Sequence, residues 1–225
     1  MKGRDIIMTG AFARSFPHTP WRGARLLLLG AGLIATSGCV SFGAKPPAQL
    51  LAIAPQNVVP AGQTLSGSTD ASLFVDLPAT PREIATTRVA VRAGPTSYAY
   101  VKDAAWIDSP ARQFQALLGE TIRARLGRLV LDPGQFLARR GQVLEGTLVD
   151  FGIDAASRTA VVTYDATLMA PDGQSVTRQR FTASVPVAKI DSMSVAPAID
   201  RAANEVAVAV SNWIRAQGPG SPSAP

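Results

Sequence analysis

Residues 159–185 read TAVVTYDATLMAPDGQSVTRQRFTASV, and this stretch decides the fold. Ala160, Val162, Tyr164, Ala166 and Leu168 alternate with Thr163, Asp165 and Thr167. Successive side chains of a strand point to opposite faces, so the alternation describes a strand with one face buried. Pro171-Asp172-Gly173 then breaks the pattern. Asp-Gly between alternating runs is a strong hairpin signal, because Gly accepts the positive φ of a tight turn. The chain therefore reverses into a second strand over 174–185. A further run, 142–153, leads into this pair through 154–158 and completes a three-strand meander.

Upstream, residues 50–54, 72–77, 87–92 and 97–101 are short runs rich in Val, Ile, Phe or Tyr. Gly- and Pro-bearing segments separate them, which predicts further strands. Residues 56–71 read as a loop. A helix starts at Ser109-Pro110, where Ser caps the free amides and Pro has no N–H to leave unpaired. Phe114, Leu117, Leu118, Ile122 and Leu126 follow at helical spacing, and Gly127 ends the run. A last helix is predicted over 197–217. Its apolar stripe is Ile199, Ala202, Ala203, Val206, Val210, Trp213 and Ile214, set against Asp200, Arg201, Asn204, Glu205 and Asn212. The expected fold is a single layered α/β (α+β) domain, a mixed or antiparallel sheet with two amphipathic helices packed on it.

The first forty residues have a different character. Lys2, Arg4, Arg14, Arg22 and Arg25 precede an apolar run over 26–35, then Thr36, Ser37 and Gly38, then Cys39. That is the order of a secretory signal, with Met8 as an alternative start. The apolar run is too short to cross a bilayer, which takes about 20 residues of helix. A thiol directly after small residues is similar to the bacterial lipobox, whose processing acylates the cysteine and cuts before it. Val40 follows, with no Asp to resemble an inner-membrane retention signal, so the periplasmic face of an outer membrane is expected. The expected division is a lipoprotein signal peptide over 1–38, a lipidated tether over 39–48, the folded domain over 49–217 and a disordered tail over 218–225.

Cutting before Cys39 changes the inventory. The first 38 residues hold five of the 22 basic residues and one of the 16 acidic ones, leaving 17 and 15, a formal +2 instead of +6. No basic patch interleaved with aromatics points to nucleic acid. The single histidine, His18, also leaves with the leader. Ser-His and Cys-His catalysis, zinc sites and structural disulfides lack their residues in the mature chain, and neither metal nor cofactor is expected. No Gly-rich phosphate loop opens a helix. Asp150, Asp154 and Glu145 are the carboxylates to weigh as a glycosidase pair. The odd spacing of Glu145 and Asp150 sends them to opposite faces of a regular strand, and Asp154 falls at a turn. What stands out instead is Tyr100, Trp106 and Pro110, around a loop expected over 101–109. Two readings stay open: Trp106 fills the gap between helix and sheet, or this loop forms a partner surface.

Residues 87–111, TRVAVRAGPTSYAYVKDAAWIDSPA, resemble the auxiliary lipoproteins of ABC-type transporters, the paraquat-inducible C-component kind. The family pattern falls here on Arg88, Tyr100, Trp106 and Pro110. The likeness continues through Gly146-Thr147-Leu148-Val149-Asp150-Phe151, the two strands that follow, and the final helix near Trp213. It implies a non-enzymatic, periplasm-facing lipoprotein, anchored through Cys39, that serves an ABC transporter beside a mammalian-cell-entry (MCE) domain protein. Such systems move lipids or other apolar molecules between inner and outer membranes. The domain is then either a docking adaptor or a lipid carrier with an apolar pocket, and a homo-oligomer is left open. The rival classes are a structural envelope lipoprotein without transporter contacts and a cell-envelope hydrolase.

Overall fold

The computed structural model describes residues 49–131 and 141–218. The signal segment, Cys39, the tether over 39–48 and all but the first residue of the tail lie outside the described residues. Ten elements follow in chain order among those described. They are β1 (Gln49–Leu51), β2 (Leu73–Val75), β3 (Arg88–Gly94), β4 (Ser97–Trp106), α1 (Pro110–Leu126), β5 (Val130–Leu131), β6 (Gln142–Asp154), β7 (Thr159–Met169), β8 (Val176–Pro186) and α2 (Ser192–Gln217).

The meander forms as expected, with β7 antiparallel to both β6 and β8 in an unbroken register with β8. Gly173, at φ 69°, turns the chain between β7 and β8, and the Asp172 carboxylate accepts from the Gln174 amide. β6 organises the rest. Its first residues pair in parallel with β2 and its last with β3, while β7 runs along its other edge. β4 pairs antiparallel to β3, and β1 closes the edge parallel to β4. This is one eight-stranded mixed sheet with two helices, the expected class.

Both helices lie on one face of the sheet. The face between them and the sheet collects Leu144, Leu148, Phe151, Ile153, Ala160, Val162 and Tyr164 with Phe114, Ile122, Ile199 and Val206. Close approach requires glycine at one point: a Cβ on Gly146 would lie 2.0 Å from the Asp165 carbonyl oxygen and 2.8 Å from the Tyr164 ring.

Local chemistry moves several boundaries. α2 begins at Ser192, not at 197, because Asp191 accepts the Ser194 amide in its side chain and the Val195 amide at its carbonyl. Pro197 lies inside the second turn, at the cost of one ladder bond. α1 begins at Pro110 as expected, yet Ser109 makes no side-chain cap. The Gln113 side chain instead reaches back to the Asp108 carbonyl. Gly127, at φ 61°, ends α1 by donating to the Arg123 carbonyl. β4 does not stop at 101. Asp103, at φ 55°, absorbs a bulge that lets the strand run on to Trp106. After Leu51 the chain leaves the sheet as a strap across the helices. Its amides at Ile53, Ala54, Gln56 and Val59 donate to Gln113, Asp200, Asn204 and Glu120.

Candidate functional site

The four motif residues divide into two pairs. Trp106 is 1 % exposed and meets the Phe151 ring edge-on at 5.4 Å, on the helix-covered face of the sheet. Phe114 continues the stack to Phe151 and to Tyr164, at 6.5 and 5.2 Å. Pro110 is buried at the first position of α1. These two are packing residues, and the reading that put Trp106 on a surface loop is corrected: the bulge at Asp103 returns the strand to register and turns its ring inward. Burial also pushes the Tyr164 hydroxyl far above its ordinary value.

Arg88 and Tyr100 lie on the opposite, helix-free face. The Arg88 guanidinium sits 3.7 Å above the centre of the Tyr100 ring, a cation–π contact worth about 0.5–1 kcal/mol at an exposed site. In the sheet register Arg88 stands opposite Ala105, and Ala105 stands opposite Leu50 on β1. Leu50 is 62 % exposed, and Ile107, just past the end of β4, is 63 % exposed. The sequence reading missed Leu50 and Ile107 as surface residues. Treating 101–109 as a loop hid the alternation of buried Ala104 and Trp106 with Ala105 and Ile107.

Further along the same face run charged pairs. Arg92 bonds to Asp150, and Asp165 accepts from Arg180 at 2.5 and 2.7 Å and from Arg178 at 3.1 Å. The carboxylate reading needs a correction in its geometry. A bulge between Leu148 and Asp150 inserts one residue into β6, so Glu145 and Asp150 share a face after all. Two other carboxylates, Asp165 and Asp154, are both shifted downward. The Arg180 and Arg178 hydrogen bonds hold the Asp165 carboxyl below the usual range, and the Ser157 amide and hydroxyl do the same for Asp154. A general acid needs the reverse shift. Glu145, Asp76, Asp165, Thr147, Thr167 and Arg178 line a polar groove of about 360 Å³ on this face. Among the described residues no group of three or more His, Cys, Asp or Glu is placed to hold a metal. Nor is any described helix long and apolar enough to cross a membrane.

Two helices over one face of a mixed sheet, with no described helix on the other, define a two-layer α/β domain. Its sequence matches the model of the ABC-type transport auxiliary lipoprotein component family over residues 52–211, and the chain belongs to that family. Solved structures with this fold include protein XCC0632 from Xanthomonas campestris, of the family model DUF330. It is 19 % identical with a TM-score of 0.62, over 76 % of this chain and 97 % of that one. An uncharacterized protein, 16 % identical, follows at a TM-score of 0.56, over 68 % and 96 % of the two chains. At these identities the likeness speaks for the fold alone. No curated protein sequence matches the chain.

Proposed function

We propose that the mature protein is a non-enzymatic accessory lipoprotein, held by acylated Cys39 on the periplasmic face of the outer membrane. There it docks onto an ABC transporter that works with an MCE-domain protein and moves lipids or other apolar molecules between the two membranes. The family match over 52–211 carries this reading. The leader ending in Ser37-Gly38, directly before Cys39, supports the anchor, with Cys39 the sole cysteine.

Of the two forms the role can take, the packing favours the adaptor. A carrier needs an apolar cavity between helices and sheet. Trp106, Phe114, Phe151 and Tyr164 occupy that space, each no more than 1 % exposed. A lipid chain placed there would have to displace the core.

Crosslinking the native protein in cells and identifying what it captures tests the role. Recovery of an MCE-domain protein is expected. Capture of peptidoglycan or porins alone would contradict it and favour a structural envelope lipoprotein. Separately, Cys39→Ala should lose its acyl group and leave the membrane fraction.

A further inference from the structure

We infer that the helix-free face of β1 and β4, centred on Leu50 and Ile107, lies on the lipid surface of the bilayer that holds the Cys39 anchor. This inference rests on the anchoring reading above.

The first observation is the row itself. Leu50, Ala105 and Arg88 stand side by side across β1, β4 and β3, with Ile107 two residues beyond Ala105. The two aliphatic side chains are more than 60 % exposed at adjacent places on one face. Tyr100 and Arg88 stack beside them. Aliphatic groups rimmed by a tyrosine ring and a long cationic side chain match the chemistry of a headgroup boundary, where rings sit and guanidinium groups reach for water.

The second observation is where the tether ends. Nine residues, 40–48, separate Cys39 from Gln49, and Gln49 begins β1, the strand that carries Leu50. Ten Cα steps reach at most about 35 Å. The chain therefore enters the sheet at the patch, and the start of β1 lies within about 35 Å of the anchored sulfur. Two aliphatic side chains bind a membrane weakly by themselves, but a short tether makes the contact intramolecular and raises its effective concentration. The same geometry favours lipid over a protein partner as the occupant.

The charges specify the mode of contact. Exposed Arg88 and Lys102 are matched in number by exposed Asp103 and Asp108. Attraction to anionic lipid is therefore not the driving force, and contact should depend little on salt. Among the described residues β1 is the sheet edge, and an open edge is held at headgroup depth rather than in the hydrocarbon.

The test uses the full acylated protein carrying Ile107→Cys, whose introduced thiol is the only one left to label once Cys39 is acylated. A second protein carrying Thr182→Cys, on the same face of distant β8, is labelled in parallel. Both are reconstituted in vesicles of phosphatidylethanolamine and phosphatidylglycerol that contain a brominated lipid quencher. The label at 107 should be quenched several-fold more than that at 182, with little change as the phosphatidylglycerol fraction or salt varies. Adding Leu50→Ser should reduce the quenching at 107 while the protein stays in the vesicle fraction. Equal quenching at both positions of an acylated, vesicle-bound protein overturns the inference. So does a shielded label at 107 that persists without vesicles, which would assign the face to a second copy, or one that appears only when transporter subunits are added. Loss of both signals with an unmodified Cys39 in the mass spectrum would instead indict the anchoring reading.

Discussion

The two faces of the sheet are built from the same strands, yet they solve opposite problems. On the covered face, Phe151, Tyr164 and Leu148 meet Phe114 and Trp106 in a layer with almost no exposure. On the open face, Asp150 and Asp165 meet arginines whose side chains remain 42 to 66 % exposed. Stability accordingly resides in the covered face, because apolar burial stabilises far more than solvated ion pairs. That division suits a domain whose work is done at its surface.

The strongest way to break this comparison is Trp106→Ala. It removes a fully buried ring packed on Phe151, and should cost about 3–5 kcal/mol in urea unfolding of a leaderless Cys39→Ala chain. A loss under 1 kcal/mol would place Trp106 outside the core. Gly146→Ala forces a methyl against the Asp165 backbone and the Tyr164 ring, and should cost about 2–3 kcal/mol. A neutral result there would mean that β6 and β7 are less closely apposed than described.

The strap sharpens the comparison at the outer surface of the helices. Asn204 is 3 % exposed, accepts from the Gln56 amide and donates to the Ala54 carbonyl. Asn204→Ala should cost about 1–3 kcal/mol and speed hydrogen exchange at the Gln56 amide while leaving β7 amides protected. Uniform loss of protection would show that the strap and sheet open as one unit.

The smallest effect is expected on the open face, at Asp165→Asn, and its signature is pH. The folded-state pKa of Asp165 is depressed, so its ionised form contributes stability above the unfolded value of about 3.9. That contribution is lost as pH falls through the folded value. The original and substituted proteins should therefore differ by a small, constant amount near neutrality and converge below about pH 4. A difference that grows in acid would reverse the sign of the argument.

Much of the architecture was legible because period and punctuation agree. The alternation around Tyr164 and the Asp172-Gly173 turn specify the hairpin, and the Pro110 start and Gly127 stop frame α1. What could not be read depended on local irregularity. The bulge in β6 changes no residue type, yet it reverses the facing of everything after Val149, which is why Glu145 and Asp150 were assigned to opposite sides. The bulge at Asp103 hides in the same way, concealing the strand that buries Trp106 and exposes Ile107. β5 is two residues long and exists only because β2 pairs with it. Pro197 masked the true start of α2, since a proline reads as a first-turn residue unless the Asp191 cap is recognised. The split of the motif into buried Trp106 and Pro110, exposed Arg88 and half-buried Tyr100 likewise needed three dimensions.

The role assigned to this domain depends on its being fastened to a bilayer through one sulfur. Intact-mass measurement of the protein extracted from native membranes tests that directly. The account predicts a chain beginning at Cys39 and heavier than its sequence by a diacylglyceryl group and further acylation. A free thiol at Cys39, or a chain that retains residues 1–38, would contradict it.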